Sequence, residues 1–435
     1  MMTQMSLDFY NQKKRNYKDL NSILVTGTKG KTSVSLMLNH LFNFAKKTTL
    51  YVSTSGVYQN QKQIFNYKNS IDQLGVSPTV MPGRYIYHFL QNGFKLKDFT
   101  AIFEASLSCG VYGTGMHEHK VGALLNIYSD HIGNGLMHNR RDLYQMKSFI
   151  FNNLAKHGYY IANLDNDLSR HSLTEQILLD KKIHKLAFTN LSITHQRAKN
   201  LMIKWALNDL FYIQNTQIYS VRKGLIYNFT DFPYLQVFQS NQALKANLLA
   251  FLAIATIFFK QNLIDEALNN FRFPSEFGRM MVFENPSSNQ RVIVDYAHEP
   301  VSLQLMVKNL YNVYQEKPYL ITRAATHRTN ASIGKLSDAI AKFDLAGLTI
   351  YDLMSTKNCE VMNFSEFERH KGEVAQLMNS QLQKRNTTFS YQIIPKETDA
   401  LKEALDSGKK LILHIRGDIE SLEIFINKYG LHRVL

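Results

Sequence analysis

The chain has 435 residues, too many for one ordinary hydrophobic core, so two or three domains are expected. Hydrophobic residues make up 45% and charged residues 20%, the balance of a globular protein rather than a disordered or fibrous one. The net charge of +15 is spread without a dense Lys/Arg block or a nucleic-acid-binding signature, which argues for a solvated basic surface with some attraction for nucleotides and against a nucleic-acid binder.

The N-terminal MMTQMSLDFYNQKKRNYKDL has no apolar stretch of the kind a signal peptide needs. Cys109 and Cys359 lie far apart without metal-ligand spacing, which adds to the expectation of a reducing, cytoplasmic setting. SILVT (22–26) predicts a strand, and TSVSLMLNHLFNFA (32–45) a helix with one apolar side. Further strands are predicted at 49–53, 100–104, 121–127 and 159–163, with helical segments between several of them, the pattern of a parallel sheet. Residues 200–240 predict antiparallel hairpins, followed by helices over 243–260 and 263–269. The apolar run LLAFLAIATIFF (248–259) is too short for a membrane span and reads as a buried helix.

FPSEFGRM (273–280) carries Pro and Gly and predicts a linker. Beyond it, strands are expected near 291–296, 318–323, 348–353, 389–394 and 410–415, with helices near 299–314, 332–342, 364–384 and 417–428. The chain is therefore read as α/β: an extension over 1–21, a central domain with a mainly parallel sheet over 22–276, and a smaller Rossmann-like α/β domain over 277–435.

The chemistry starts at TGTKGKTS (26–33), where a strand runs through a glycine turn into a helix. Backbone N–H groups of Gly27, Thr28, Lys29, Gly30 and Ser33 are placed to cradle phosphate oxygens. Lys31 is expected against the β/γ-phosphates and the Thr32 hydroxyl on magnesium. The glycine spacing is shorter than in a strict P-loop, and a surface lysine on an ordinary strand–helix turn is the plain alternative.

That shortened loop resembles the one in the Mur ligase superfamily, with Lys29 where Asn is usual. Further matches occur in the family's order. IFEAS ends on Glu104 at a magnesium-binding position, and LLNIYSDHIG places His131 at a second metal position. LYQMKSFIF places Lys147 where peptidoglycan ligases carry a carbamylated lysine, and YYIANLDND resembles their Asn-x-Asp-Asp strand end. KANLLAFLAIA implies that Asn247 meets the adenine, EFGRM that Arg279 reaches the phosphates, and VIVDYAHEP that Asp295 holds the ribose hydroxyls. The resemblance spans about residues 22 to 428. STSGVY and SDHIGNG make the chain similar to the ligase half of the cyanophycin synthetase family, and with about twenty residues before the loop the UDP-sugar domain of peptidoglycan ligases is not expected. At the substrate end the likeness thins: THRTN (326–330) retains only Arg328, which joins His298 as a substrate candidate.

The resemblance implies an ATP- and magnesium-dependent ligase that activates a carboxylate as an acyl phosphate and joins it to an amine, an amino acid among the candidates. Lys31, Arg279 and magnesium would neutralise the meeting of two anions, with Thr32, Glu104, His131 and a Lys147 carbamate as metal ligands. Closure of the two domains would exclude water from the intermediate. Poly-γ-glutamate and muramyl-peptide ligases are alternatives within the class, and a non-catalytic nucleotide-binding relative or a plain P-loop ATPase or kinase are alternatives outside it. No nucleic-acid or membrane partner is expected, and the oligomeric state stays open.

Overall fold

The structure, a computed structural model, describes residues 17–66, 77–129, 137–326, 328–356, 359–363, 367–417 and 422–435. The chain divides into two compact units. One runs to Leu235 and resumes over Gln242–Phe271, and the other comprises Gln236–Asn241 and Arg272–Leu435.

The first unit is built around β1 (Asn21–Thr26), whose Ile23, Leu24 and Val25 are fully buried. Such a solidly apolar run suits a central strand covered on both faces. The other strands are β2 (Thr48–Ser53), β3 (Gly56–Gln59), β4 (Lys62–Asn66), β5 (Phe99–Glu104), β6 (His119–Leu124), β7 (Leu154–Asn163), β8 (His184–Ser192), β9 (Asp209–Gln214), β10 (Gln217–Ser220) and β11 (Gly224–Asn228). Among the described residues they form one eleven-stranded sheet in the order β11-β10-β9-β8-β7-β6-β1-β5-β2-β3-β4. From β9 through β2 the pairing is parallel, and antiparallel hairpins extend both edges.

The helices of this unit include α1 (Lys31–Phe44), α2 (Arg140–Lys147), α3 (Gln242–Phe258) and α4 (Gln261–Asn269). The apolar run of α3 is buried from Leu248 to Ala255 because it packs on β8 and on α1. No helix among the described residues is long and apolar enough to cross a membrane. The hairpins expected in 200–240 are present as β9, β10 and β11, but β9 also pairs with β8, so they continue the main sheet. Strand β8 and the helix His195–Lys204 were not expected.

In the second unit the strands are β12 (Met281–Asn285), β13 (Gln290–Asp295), β14 (Tyr319–Thr322), β15 (Gly347–Ile350), β16 (Val361–Asn363), β17 (Glu368–His370), β18 (Tyr391–Ile393), β19 (Leu411–Ile415) and β20 (His432–Arg433). Seven of them form a sheet ordered β18-β15-β14-β19-β13-β12-β20, parallel from β18 to β13, with β12 and β20 antiparallel at one edge. The helices are α5 (Pro300–Tyr314), α6 (Asn330–Ile340), α7 (Glu373–Gln383) and α8 (Glu397–Asp406). The chain moves in one direction from β13 through β18 and back again to β19. Right-handed crossovers therefore put α5, α6 and α7 on one face and α8 on the other.

The helix expected over 364–384 starts only at Glu373. Gly372 precedes it at φ 82°, and residues 368–370 pair with β16 instead. Of the helix expected over 417–428, Leu422–Asn427 is helical and residues 418–421 lie outside the described set.

Candidate functional site

Strands β1, β5 and β6 are neighbours, and their carboxyl ends bring the candidate residues of the first unit together. In open parallel sheets this end carries the ligand site. Gly27 (φ 153°) lies so close to β6 that an added Cβ would come within 3.2 Å of the Asn126 amide nitrogen. Gly30 (φ 87°) faces α3, where an added Cβ would meet Asn247 Oδ1 at 2.2 Å. Both positions demand glycine for conformation and for space.

The turn between them is pinned to β6. The Thr28 N–H donates to the Asn126 carbonyl (2.9 Å), the Lys29 N–H donates to Asn126 Oδ1 (2.8 Å), and Asn126 Nδ2 donates to the Lys29 carbonyl (3.1 Å). The Thr28 hydroxyl in turn accepts the N–H of Tyr128 (2.9 Å). This is why the strand expected over 121–127 ends at Leu124: the residues after it serve the loop. Lys31 Nζ folds back onto the carbonyls of Gly27 (3.0 Å) and Thr28 (3.3 Å), inside the loop's own curve.

Thr32, on the first turn of α1, donates its hydroxyl to Glu104 Oε2 over 3.0 Å, and both side chains are buried. Lys147, the last residue of α2, is also buried, at 4% exposure. Its Nζ donates to Thr26 Oγ1 (3.3 Å), and that hydroxyl donates to the carbonyl of Ala105 next to Glu104 (2.9 Å). Lys147 also lies near the Cys109 thiol. Burial pushes that thiol up to about 12, with the lysine's charge pulling the other way. Close packing fixes α2 here, since a Cβ on Gly110 would strike the Met146 carbonyl at 2.0 Å. Cys109 and Cys359 are free thiols.

Phosphate-loop residues Gly27 to Ser33, Thr32, Glu104, Lys147 and Asn247 thus converge on one region of the first unit. His131 lies outside the described residues. Thr26 and Asn126 were not singled out from the sequence, although VTGT and LLNIYSD contain them.

The remaining candidates belong to the second unit. Asp295 ends β13 and is buried; its Oδ2 accepts the Met280 N–H over 3.0 Å. Burial raises its pKa above the ordinary carboxylate value, opposed by the nearby Arg279 charge and by the N–H groups of Met280, Tyr296 and Ala297. The Arg279 guanidinium lies 4.7 Å from the Tyr296 ring centroid. His298 turns Nδ1 toward the Tyr296 carbonyl at 2.7 Å. Arg328 is paired with Glu299 (2.7 Å), with both side chains largely shielded. Arg369 holds the loop of Arg328 through the Arg328 carbonyl (2.9 Å) and Asn330 Oδ1 (2.6 Å). Glu299 and Arg369 were not anticipated: Glu299 lies within VIVDYAHEP but was given no role there, and Arg369 stands in no recognised motif.

Residues 25–212 match the Mur ligase middle domain family. That stretch is similar to a Mur ligase middle domain.

The likeness extends beyond that domain. The chain is 23% identical over 397 residues to cyanophycin synthetase from Synechocystis sp., a match covering 88% of this chain and 40% of that protein. It is 24% identical over 422 residues to cyanophycin synthetase from Geminocystis herdmanii, covering 92% and 43%. The chain therefore spans well under half the length of these relatives. In fold it is similar to a bifunctional folylpolyglutamate synthase/dihydrofolate synthase crystallised with Mn, AMPPNP and L-glutamate. That similarity has a TM-score of 0.61 at 13% identity and covers 95% of this chain and 90% of that one.

The donor set beside the phosphate loop fits magnesium. Among the described residues no group of three or more His, Cys, Asp or Glu side chains could hold a metal ion by itself. Magnesium beside a nucleotide does not need such a cage: a hydroxyl, a carboxylate, waters and phosphate oxygens satisfy it. The buried Thr32–Glu104 pair offers the first two as hard oxygens.

Proposed function

We propose that the chain is an ATP-dependent carboxylate–amine ligase of the cyanophycin synthetase-like type, working through an acyl phosphate. The observation that carries this reading is the assembly at the carboxyl ends of β1 and β5. A phosphate loop with Lys31 inside its curve stands beside the Thr32–Glu104 pair and a buried Lys147. A plain nucleotide-binding turn needs the loop but gives no reason to bury a lysine at the end of a separate helix.

In this reading the loop N–H groups and Lys31 bind the triphosphate. Thr32 and Glu104 hold magnesium, which supplies positive charge against phosphate oxygens. Arg279 offsets the charge that accumulates when an anionic carboxylate approaches the γ-phosphate. Asn247 has its amide oxygen near Gly30, where it would serve nucleotide recognition. Lys147 as a plain ammonium would repel a metal; as a carbamate it would be an anionic oxygen donor, with His131 as a further ligand. An amine then attacks the activated carbonyl and phosphate leaves. An amino acid is the favoured amine, with His298 and Arg328 as the groups that would receive it.

The reading is tested by incubating purified protein with ATP, magnesium, amino acids and short acidic peptides, with phosphate release and product mass both measured. Phosphate release that requires a carboxylate and an amine together, with a product lighter by one water than their sum, is expected. Release with ATP alone would indicate an ATPase, and nucleotide binding without turnover a non-catalytic relative.

A further inference from the structure

Ser275–Met280 lies near the start of the Arg272–Leu435 part of the second unit, and three features of this stretch converge on Arg279. The residues on either side of it, Gly278 (φ 54°) and Met280 (φ 47°), are both left-handed. For Met280 this is a conformation that a side chain resists and surroundings must impose. Gly278 is pressed against Arg416, where an added Cβ would meet Cδ at 2.5 Å. Arg416 is itself fixed at both ends: its N–H donates to the Asp295 carbonyl (2.9 Å) and its guanidinium to the Ser275 carbonyl (2.7 Å).

The group that imposes the turn on Met280 is the Asp295 carboxylate. Strand β12 begins at Met281 opposite Val294, so Met280 falls opposite Asp295 just past the ladder. There a side-chain oxygen takes the Met280 N–H in place of a strand partner, at 3.0 Å and buried. This bond takes up one acceptor position of a carboxylate whose role expected from the sequence is to receive ribose hydroxyls. Arg279 has no hydrogen-bond or ion-pair partner among the described residues. Its place is set by the Tyr296 ring at 4.7 Å, and the buried Arg323 lies 5.1 Å from the same ring.

We infer that Asp295 is a positioning residue: it fastens the backbone beyond Arg279 to the end of β13 and thereby holds the Arg279 guanidinium over Tyr296. Its catalytic consequence rests on the proposed function, in which Arg279 meets phosphate charge; the fastening does not. Removing the carboxylate frees Met280 and lets Arg279 swing, so chemistry suffers while nucleotide binding through the phosphate loop persists.

The test has two arms. Trypsin cleaves after Arg279, and cleavage requires the Arg279–Met280 peptide to leave its turn. Asp295→Ala should speed that cleavage about tenfold or more relative to cleavage after the exposed Arg385. Asp295→Asn keeps one acceptor oxygen and should fall between Asp295→Ala and wild type, which separates loss of the bond from general unfolding. In the kinetic arm, Asp295→Ala should lower kcat with little change in KM for ATP. The same substitution in an Arg279→Ala background should add nothing. Unchanged cleavage, additive losses, or a raised KM for ATP with kcat retained would overturn the inference, the last in favour of ribose binding. If wild-type protein turns over no ATP, the ligase reading falls, and the cleavage arm still decides the fastening.

Discussion

The hydroxyl of Thr32 donates to Glu104 across 3.0 Å, joining the first turn of α1 to the last residue of β5. The pair is buried at the carboxyl end of the sheet, where a nucleotide-bound magnesium would take both oxygens. Glu104→Gln keeps an acceptor for Thr32 but removes the charge. It should raise the magnesium concentration needed for half-maximal turnover about tenfold or more, with the fold intact. A magnesium titration of phosphate release checks this, and an unchanged midpoint would remove Glu104 from the metal site.

Lys31→Ala should lower turnover by about 10² or more, since Lys31 is the charged donor within the curve of the loop. Phosphate release at saturating ATP gives the number. Near-normal turnover by a folded Lys31→Ala protein would break the nucleotide assignment.

Much of this site was legible in the sequence, and the reasons are physical. A strand, a glycine turn and a helix are local features, so TGTKGKTS could be placed without knowing the rest of the sheet. Glu104 was readable because IFEAS resembles a family segment in which a glutamate ends a strand; the charge alone would read as a solvated carboxylate. The burial of Lys147 was not readable from the residues alone: LYQMKSFIF is compatible with a surface lysine, and only packing of Gly110 against Met146 shows otherwise. Asn126 stayed hidden for a similar reason, because its partners lie nearly a hundred residues away. At the level of the fold, β12 and the edge strand β20 were missed because short antiparallel strands leave little pattern. The bond between Asp295 and Met280 was invisible because a side chain there replaces a ladder partner.

Lys147→Ala should be nearly inactive, and millimolar formate or acetate should restore part of the activity by occupying the carbamate's place. Stripping CO₂ from the buffer should lower wild-type turnover and bicarbonate should return it. Full activity of the variant would eliminate a catalytic role for Lys147. An inactive variant that no small carboxylate rescues would count against the carbamate alone.

His119, at the opposite end of β6, should make stability depend on pH. It is fully buried, and burial lowers its pKa from 6.5 to about 4 despite a contact with the Ile150 carbonyl at 3.0 Å. Because the folded value lies below the unfolded one, the unfolded chain binds more protons between pH 4 and 6.5. The stabilisation is fully present above pH 6.5 and is lost as pH falls toward 4. It amounts to about 3 kcal/mol at most. Urea titrations across that range should show the decline, and His119→Gln should flatten it; an equal slope in the variant would assign the pH dependence to other groups.

The most direct test of the central claim tracks an oxygen atom. In the proposed reaction the acceptor's carboxylate attacks the γ-phosphate, so one carboxylate oxygen leaves with phosphate when the amine displaces it. With an acceptor labelled with ¹⁸O in its carboxyl group, each amide formed should be matched by one phosphate carrying a single ¹⁸O, read by mass spectrometry. Amide formed alongside wholly unlabelled phosphate would contradict the acyl phosphate, and with it the account of why Lys31, Thr32, Glu104 and Lys147 are gathered at the end of the sheet.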